Sequence, residues 1–348
     1  MVEVFLWVIG VLLALQFALL IGLILWKTRT LSAEQKTLQE VERLLPQYSG
    51  LIEGTLKEQP ELPAGVQFQA AVIERVFDAL MSEAASKDEK RKVTELAEQN
   101  LSAFYKKVLK KGKWAERINA LYFIEDFRMF SLREGVELHF KGLRKQDEEY
   151  RQSLRASAIL QNPMVIDVLV GNRMLSVAFI KEILFRLDEN LLTDLSQRMA
   201  LKDNASENLL FAFLTINGEQ KNKLFFPFVE KMMLDERKEV RIKAMKSLCN
   251  YEKLEDPSKL SAFFKSEFWE ERMYAAKLTG ACGLNEFKES LIELFSDPVW
   301  WVRFAAAENI YRLEDGTGLL KHIGATSEDA YARDIAKHML TRKGGESQ

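Results

Sequence analysis

The segment from Asp297 to Leu313 reads DPVWWVRFAAAENIYRL, and the segment from Asp235 to Leu248 reads DERKEVRIKAMKSL. Aligned on Arg303 and Arg241, both carry an acid six residues before the Arg and an Ala three residues after it. The same columns recur along the carboxy-terminal part. Arg241, Arg272, Arg303 and Arg333 are separated by 31, 31 and 30 residues. Ala244, Ala275, Ala306 and Ala336 follow them, and Asp235, Ser266, Asp297 and Ser327 precede them. Asp or Ser ahead of a helix accepts orphan backbone donors, and a small Ala lets a neighbouring helix approach closely. Leu248, Ile310 and Leu340, four residues beyond the Ala, share its face. One amphipathic helix pair cannot bury its apolar face alone, so successive pairs must stack. The expected fold is all-α, a right-handed α-solenoid of helix pairs with a period of about 31.

These motifs resemble the HEAT repeat family, and the short period is similar to its bacterial, phycobilisome-lyase-like variety. The likeness covers 235–340 well. The stretch KWAERINA from Lys113, with Arg117 and Ala120, looks like an earlier copy. Residues 150 to 234 lack the Arg and Ala columns but keep helical patterns, such as Ser206 to Leu214 followed by Lys223 to Leu234. Ankyrin and tetratricopeptide signatures are absent.

Composition agrees with helices, since 17 Gly and 7 Pro in 348 residues are about 7% where about 12% is usual. The formal charge is −2, which disfavours a general nucleic-acid binder. Two cysteines, Cys249 and Cys282, cannot build a disulfide framework or a thiolate metal cage. Both read as small buried hydrophobes in a reducing compartment.

At the other end, Val4 to Trp26 reads VFLWVIGVLLALQFALLIGLILW, with Gln16 its one strongly polar side chain. At about 1.5 Å per residue this stretch crosses a hydrocarbon core of about 30 Å. A cleaved signal peptide fits less well, because no positive n-region precedes the run and no small-x-small site follows Trp26. The flank at Lys27, Arg29 and Lys36 places the amino terminus outside and the bulk of the chain in the cytoplasm. Asn100-Leu-Ser and Asn204-Ala-Ser are sequons whose use would require the opposite topology. The expected organisation is a transmembrane anchor over 1–29, a helical juxtamembrane connector over 30–64 broken or kinked at Pro46, and the solenoid over 65–345.

No chemistry is visible. His139, His322 and His338 are isolated, and neither a phosphate loop nor a nucleophile elbow occurs. We therefore expect no catalytic, cofactor-binding or metal-binding residues, no cofactor, and no enzyme. The repeated Arg either bonds an acid or helix terminus of the adjacent repeat or presents guanidinium groups to an anionic ligand, and regular recurrence favours stacking. Trp114, Trp269 and Trp300, joined by Trp301 and Phe268, lie in the first turns of their helices, where they either pack between repeats or anchor a partner. Lys106, Lys107, Lys110, Lys111 and Lys113 form the densest basic patch, either a solvated face or a contact for anionic headgroups. Asp147-Glu148-Glu149 reads as a helix start.

What the resemblance implies is an interaction platform, since HEAT proteins mostly serve as such. A bacterial single-span version resembles accessory subunits of envelope machinery such as a membrane glycosyltransferase. The expected function is a membrane-anchored cytoplasmic scaffold for a membrane-associated protein partner, held by residues 4–26 and without nucleic acid. A homodimer through the anchor and residues 31–58 is compatible with it. The alternative is a HEAT-like enzyme or ligand-binding protein of bilin-lyase-like or nucleic-acid-acting type, which would need a groove with convergent polar groups.

Overall fold

The computed structural model describes residues 2–201 and 205–345. Seventeen α-helices and no strand occur among the described residues. The chain forms two units, Met1–Asn162 and Pro163–Gln348. The sequon at Asn204 lies outside the described residues.

The first unit is built on α1, a single helix from Val2 to Glu53. It is long and apolar enough to span a membrane, and the described side chains from Ile9 to Trp26 are exposed. Its last turns are built differently, because Leu44, Tyr48 and Ile52 are buried. The break expected at Pro46 does not occur, and the helix runs through it. Pro46 and Glu42 both lie on the exposed face. Water can therefore satisfy the Glu42 carbonyl that loses its N–H partner, while the buried face holds the helix together.

Against α1 pack α2 (Val66–Glu83) and α3 (Lys87–Lys111), followed by α4 (Trp114–Asp126), α5 (Arg133–Gly142) and α6 (Glu148–Ile159). Their shared core holds Val72, Phe77, Leu101, Leu121, Phe127 and Val136. Tyr48 meets Phe77 edge-on with ring centres 5.0 Å apart. Helix α3 starts with a reciprocal cap, in which the Ser86 hydroxyl accepts from the Glu89 amide and the Glu89 carboxylate accepts from the Ser86 amide. That arrangement satisfies two orphan donors at once.

The second unit repeats one motif. Helices α8 (Val177–Leu184), α10 (Glu207–Gln220), α12 (Lys238–Tyr251), α13 (Trp269–Cys282), α15 (Trp300–Ile310) and α17 (Ala330–Gly345) begin 30, 31, 31, 31 and 30 residues apart. Each packs on the next. Shorter helical pieces precede them, including α11 (Phe226–Met232) before α12 and α14 (Lys288–Glu293) before α15. This is an α-solenoid. The period runs back through the region without Arg and Ala columns, for a physical reason. At the Arg position α8 carries Ile180 and α10 carries Leu210, and at the Ala position they carry Ile183 and Phe213, all buried. There, apolar contact does what a polar staple does later in the chain.

Small residues mark the closest approaches between layers. A β-carbon on Gly218 would lie 2.6 Å from that of Ser247, and one on Gly280 would lie 2.4 Å from Asn309 Oδ1. The two glycines are two periods apart, and each lets the following helix settle against bare backbone. Ala244, Ala275, Ala306 and Ala336 are all fully buried. Of the residues four further on, Leu248 and Ile310 are fully buried while Leu340 is half-exposed and Met339 takes the core position.

Candidate functional site

Three features on this scaffold bear on function: the arginine column, an aromatic patch and a basic helix end.

In four consecutive layers one Nη of the arginine donates back to the carbonyl six residues earlier. Arg241 reaches Asp235 at 2.9 Å, Arg272 reaches Ser266 at 2.7 Å, Arg303 reaches Asp297 at 2.7 Å and Arg333 reaches Ser327 at 2.8 Å. The acid or Ser at that place is not itself the N-cap, a position held by Arg237, Phe268 and Val299. It folds the preceding turn instead, its side chain accepting from the amide two residues on, as for Asp235 with Arg237, Ser266 with Phe268 and Asp297 with Val299. In the last layer Asp329 does this for Tyr331.

The other edge of the guanidinium reaches the next layer. Arg241 Nε donates to Glu271 at 2.7 Å, and Arg272 forks onto Asp297 at 2.6 and 3.0 Å. The carboxylates are only 4% exposed in both pairs. Arg303 lies over the Tyr331 ring at 5.0 Å. In the first unit Arg117 reaches Glu149 at 2.9 Å and the Gly112 carbonyl at 2.6 Å. These groups are committed to protein partners, and charge-assisted forks of this kind are strong because their geometry is fixed.

Glu149 escaped notice in the sequence, where it is one acid of a helix start. It is a buried hub, taking Arg117 and, at 3.0 Å, His139 Nε2. His139 is therefore not isolated. Burial holds its pKa below the usual imidazole range against the opposing pull of Glu149. His322 and His338 are exposed. No group of three His, Cys, Asp or Glu among the described residues is placed to hold a metal ion. Cys249 and Cys282 are half-buried, and burial pushes both thiols up to about 12.

The tryptophans separate. Trp300 and Trp301 are about half exposed, in edge contact at 4.8 Å, and Trp300 stacks on Phe304 at 5.1 Å. Tyr331, 68% exposed, stands in the first turn of α17, one layer on, with Arg303 over its ring. Trp269 is half-buried in the layer before, and Trp114 stands exposed in the first unit, three residues past the end of α3.

That end of α3 carries exposed Lys106, Lys107, Lys110 and Lys111, with exposed Lys113 just beyond it. Lys106 and Lys110 line a cleft of 370 Å³ with Arg117, Leu138 and His139. Lys107 and Lys111 line another of 630 Å³ with Val66, Phe68, Phe104 and Val108. The sequon at Asn100 lies within α3, its amide nitrogen donating to Leu96 at 2.8 Å and its oxygen accepting from Tyr48 at 3.3 Å.

Residues 288–315 match the HEAT repeat family model, and they comprise α14, α15 and the turn between them. No curated protein matches the chain. Among solved structures, a crystal structure of an engineered protein is similar over 79% of this chain and 80% of that one, at 15% identity and a TM-score of 0.25. The HEAT repeat match therefore covers one layer of the α-solenoid, residues 288–315.

Proposed function

We propose that the chain is a membrane-anchored, non-enzymatic scaffold that recruits a membrane-associated protein partner at the cytoplasmic face. The observation that carries this reading is α1. One helix holds an apolar stretch, exposed from Ile9 to Trp26 and long enough to cross a bilayer, and, without interruption, the buried Leu44, Tyr48 and Ile52 of the first unit. An exposed apolar face of that length needs lipid around it. The basic flank at Lys27, Arg29 and Lys36 favours the amino terminus outside.

The partner surface is the patch of Trp300, Trp301 and Phe304. Trp300 meets Trp301 edge-on and stacks on Phe304, and large, partly exposed aromatics of this kind are the side chains that anchor interfaces. Tethering raises the local concentration of any partner in the same bilayer, so a weak contact suffices. An accessory role beside an envelope enzyme such as a membrane glycosyltransferase fits this arrangement.

The test is purification of the tagged full-length chain from its native membrane in mild detergent, with mass spectrometry of what co-purifies, beside a Trp300→Ala, Trp301→Ala variant. Both side chains are about half exposed, so the variant should fold, which its helical circular dichroism checks. A stoichiometric membrane protein lost in the variant is the expected result. Its retention in the variant would overturn the assignment of the surface. A chain that purifies alone or only with a second copy would overturn the scaffold reading.

A further inference from the structure

The path of the chain through the first unit turns the basic end of α3 back toward the apolar half of α1. Helix α3 begins beside the far end of α1, where Lys92 Nζ donates to the Ile52 carbonyl at 2.8 Å. Eight residues later Asn100 meets Tyr48 at 3.3 Å. The two helices are therefore antiparallel. From Lys92 to Lys111, α3 travels about 28 Å at the usual rise. For a crossing angle up to about 40°, this brings Lys111 back to roughly the level of residues 33–38 on α1.

Helix α2 gives the same answer independently. Arg43 holds the Glu61 carbonyl at 3.0 Å, so the connector doubles back along α1 before α2 starts, and Arg75 of α2 stands 3.5 Å from Glu34. The start of α2 and the end of α3 then enclose one cleft, of Val66, Phe68, Phe104, Lys107, Val108 and Lys111.

Resting on the reading of α1 as a membrane anchor, we propose that this end of the unit, with Lys106, Lys107, Lys110 and Lys111, docks on anionic lipid headgroups of the bilayer that α1 spans. The distance allows it. Residues 33–38 lie about 10–18 Å along the helix from Trp26, the headgroup layer takes up about 5–8 Å of that, and the remainder is within a lysine side chain plus a Debye length of about 8 Å. The chemistry matches too. None of these four ammonium groups has a carboxylate partner within 4 Å among the described residues, in contrast to Arg117 beside them. Two acids at this end are already engaged, Glu34 with Arg75 and Glu116 with the Lys113 amide at the cap of α4. Val66 and Trp114, 62% and 50% exposed, add apolar side chains at the same end, as surface-seeking segments do. The helix dipole accounts for Lys110 and Lys111 in the last turn of α3, but its field falls off within that turn and leaves Lys106 and Lys107 to the membrane surface.

The experiment is amine-reactive footprinting of the full-length chain in nanodiscs of phosphatidylcholine alone or mixed with phosphatidylglycerol, read by mass spectrometry. We expect Lys106, Lys107, Lys110 and Lys111 to react about five-fold more slowly in the anionic discs, with the difference removed by high salt. Lys87 and Lys90, exposed at the opposite end of α3, should react equally in both. Equal rates at all six lysines, with the chain incorporated and Lys27 protected, would overturn the docking surface and leave the anchor standing. A chain that fails to enter the discs and leaves Lys27 fully reactive would overturn both.

Discussion

Replacing Arg272 by Met strips one polar staple from the solenoid while keeping its aliphatic stem packed. The guanidinium makes two short bonds to Asp297, at 2.6 and 3.0 Å, and one to the Ser266 carbonyl at 2.7 Å. Asp297 is 4% exposed and would retain one amide partner, Val299 N–H at 2.8 Å. Leaving a buried carboxylate without its cation costs about 3–5 kcal/mol. In a repeat array this loss falls on adjacent layers rather than on the whole chain, so the assay is native-state hydrogen exchange of the full-length protein in detergent. Amides of Trp269–Cys282 and Trp300–Ile310 should lose roughly 150- to 5,000-fold of their protection. The control is Arg91→Met, whose ion pairs with Asp88 and Glu95 are more than half exposed and contribute little because water screens them. Protection in α13 and α15 that changes no more than in the control would refute the idea that this fork joins one layer to the next.

Two titrations follow from the same structure. Glu74 is raised above its usual value by burial, although the Tyr105 hydroxyl donates to it at 2.8 Å. A raised carboxyl stabilises the fold below its unfolded value and loses that contribution as pH rises through the folded one, so Glu74→Gln, which keeps an acceptor for Tyr105, should raise the unfolding midpoint at pH 7 and change little near about pH 4. An equal effect at both values would contradict this. Cys249 and Cys282, pushed by burial up to about 12, should be alkylated by iodoacetamide at about pH 8 some 10²- to 10³-fold more slowly in the native chain than after unfolding. Native rates matching a free thiol would show that burial does not govern them.

The polar parts of the repeat are legible from the sequence because their chemistry leaves few substitutes. An arginine that holds a carbonyl six residues back cannot drift in position or type, so Arg241, Arg272, Arg303 and Arg333 stand out. Where the same contact is apolar, as at Ile180, Ile183, Leu210 and Phe213, many residues serve equally and the column dissolves although the helices keep their spacing. Pro46 misled in the other direction. Its local preference is to break a helix, and the burial of Leu44, Tyr48 and Ile52 on one face overrides it. The hub of Arg117, His139 and Glu149 joins residues 10 to 32 positions apart across three helices, a separation that no spacing rule reports. Exposure divides the tryptophans for the same reason. Trp114, Trp269 and Trp300 occupy the same first-turn position, and only the neighbouring layers decide which are covered.

The most direct test of the central claim, that the membrane span and the first layer of the scaffold are one rigid helix, is a distance measurement along α1. Spin labels at Thr28 and Glu53, both exposed, with Cys249 and Cys282 replaced by Ala, would be read by pulsed electron resonance in nanodiscs. A continuous helix through Pro46 gives a narrow distribution centred at about 35–40 Å. A broad distribution, or one centred below about 30 Å, would mean that the span is hinged to the scaffold and would contradict the account.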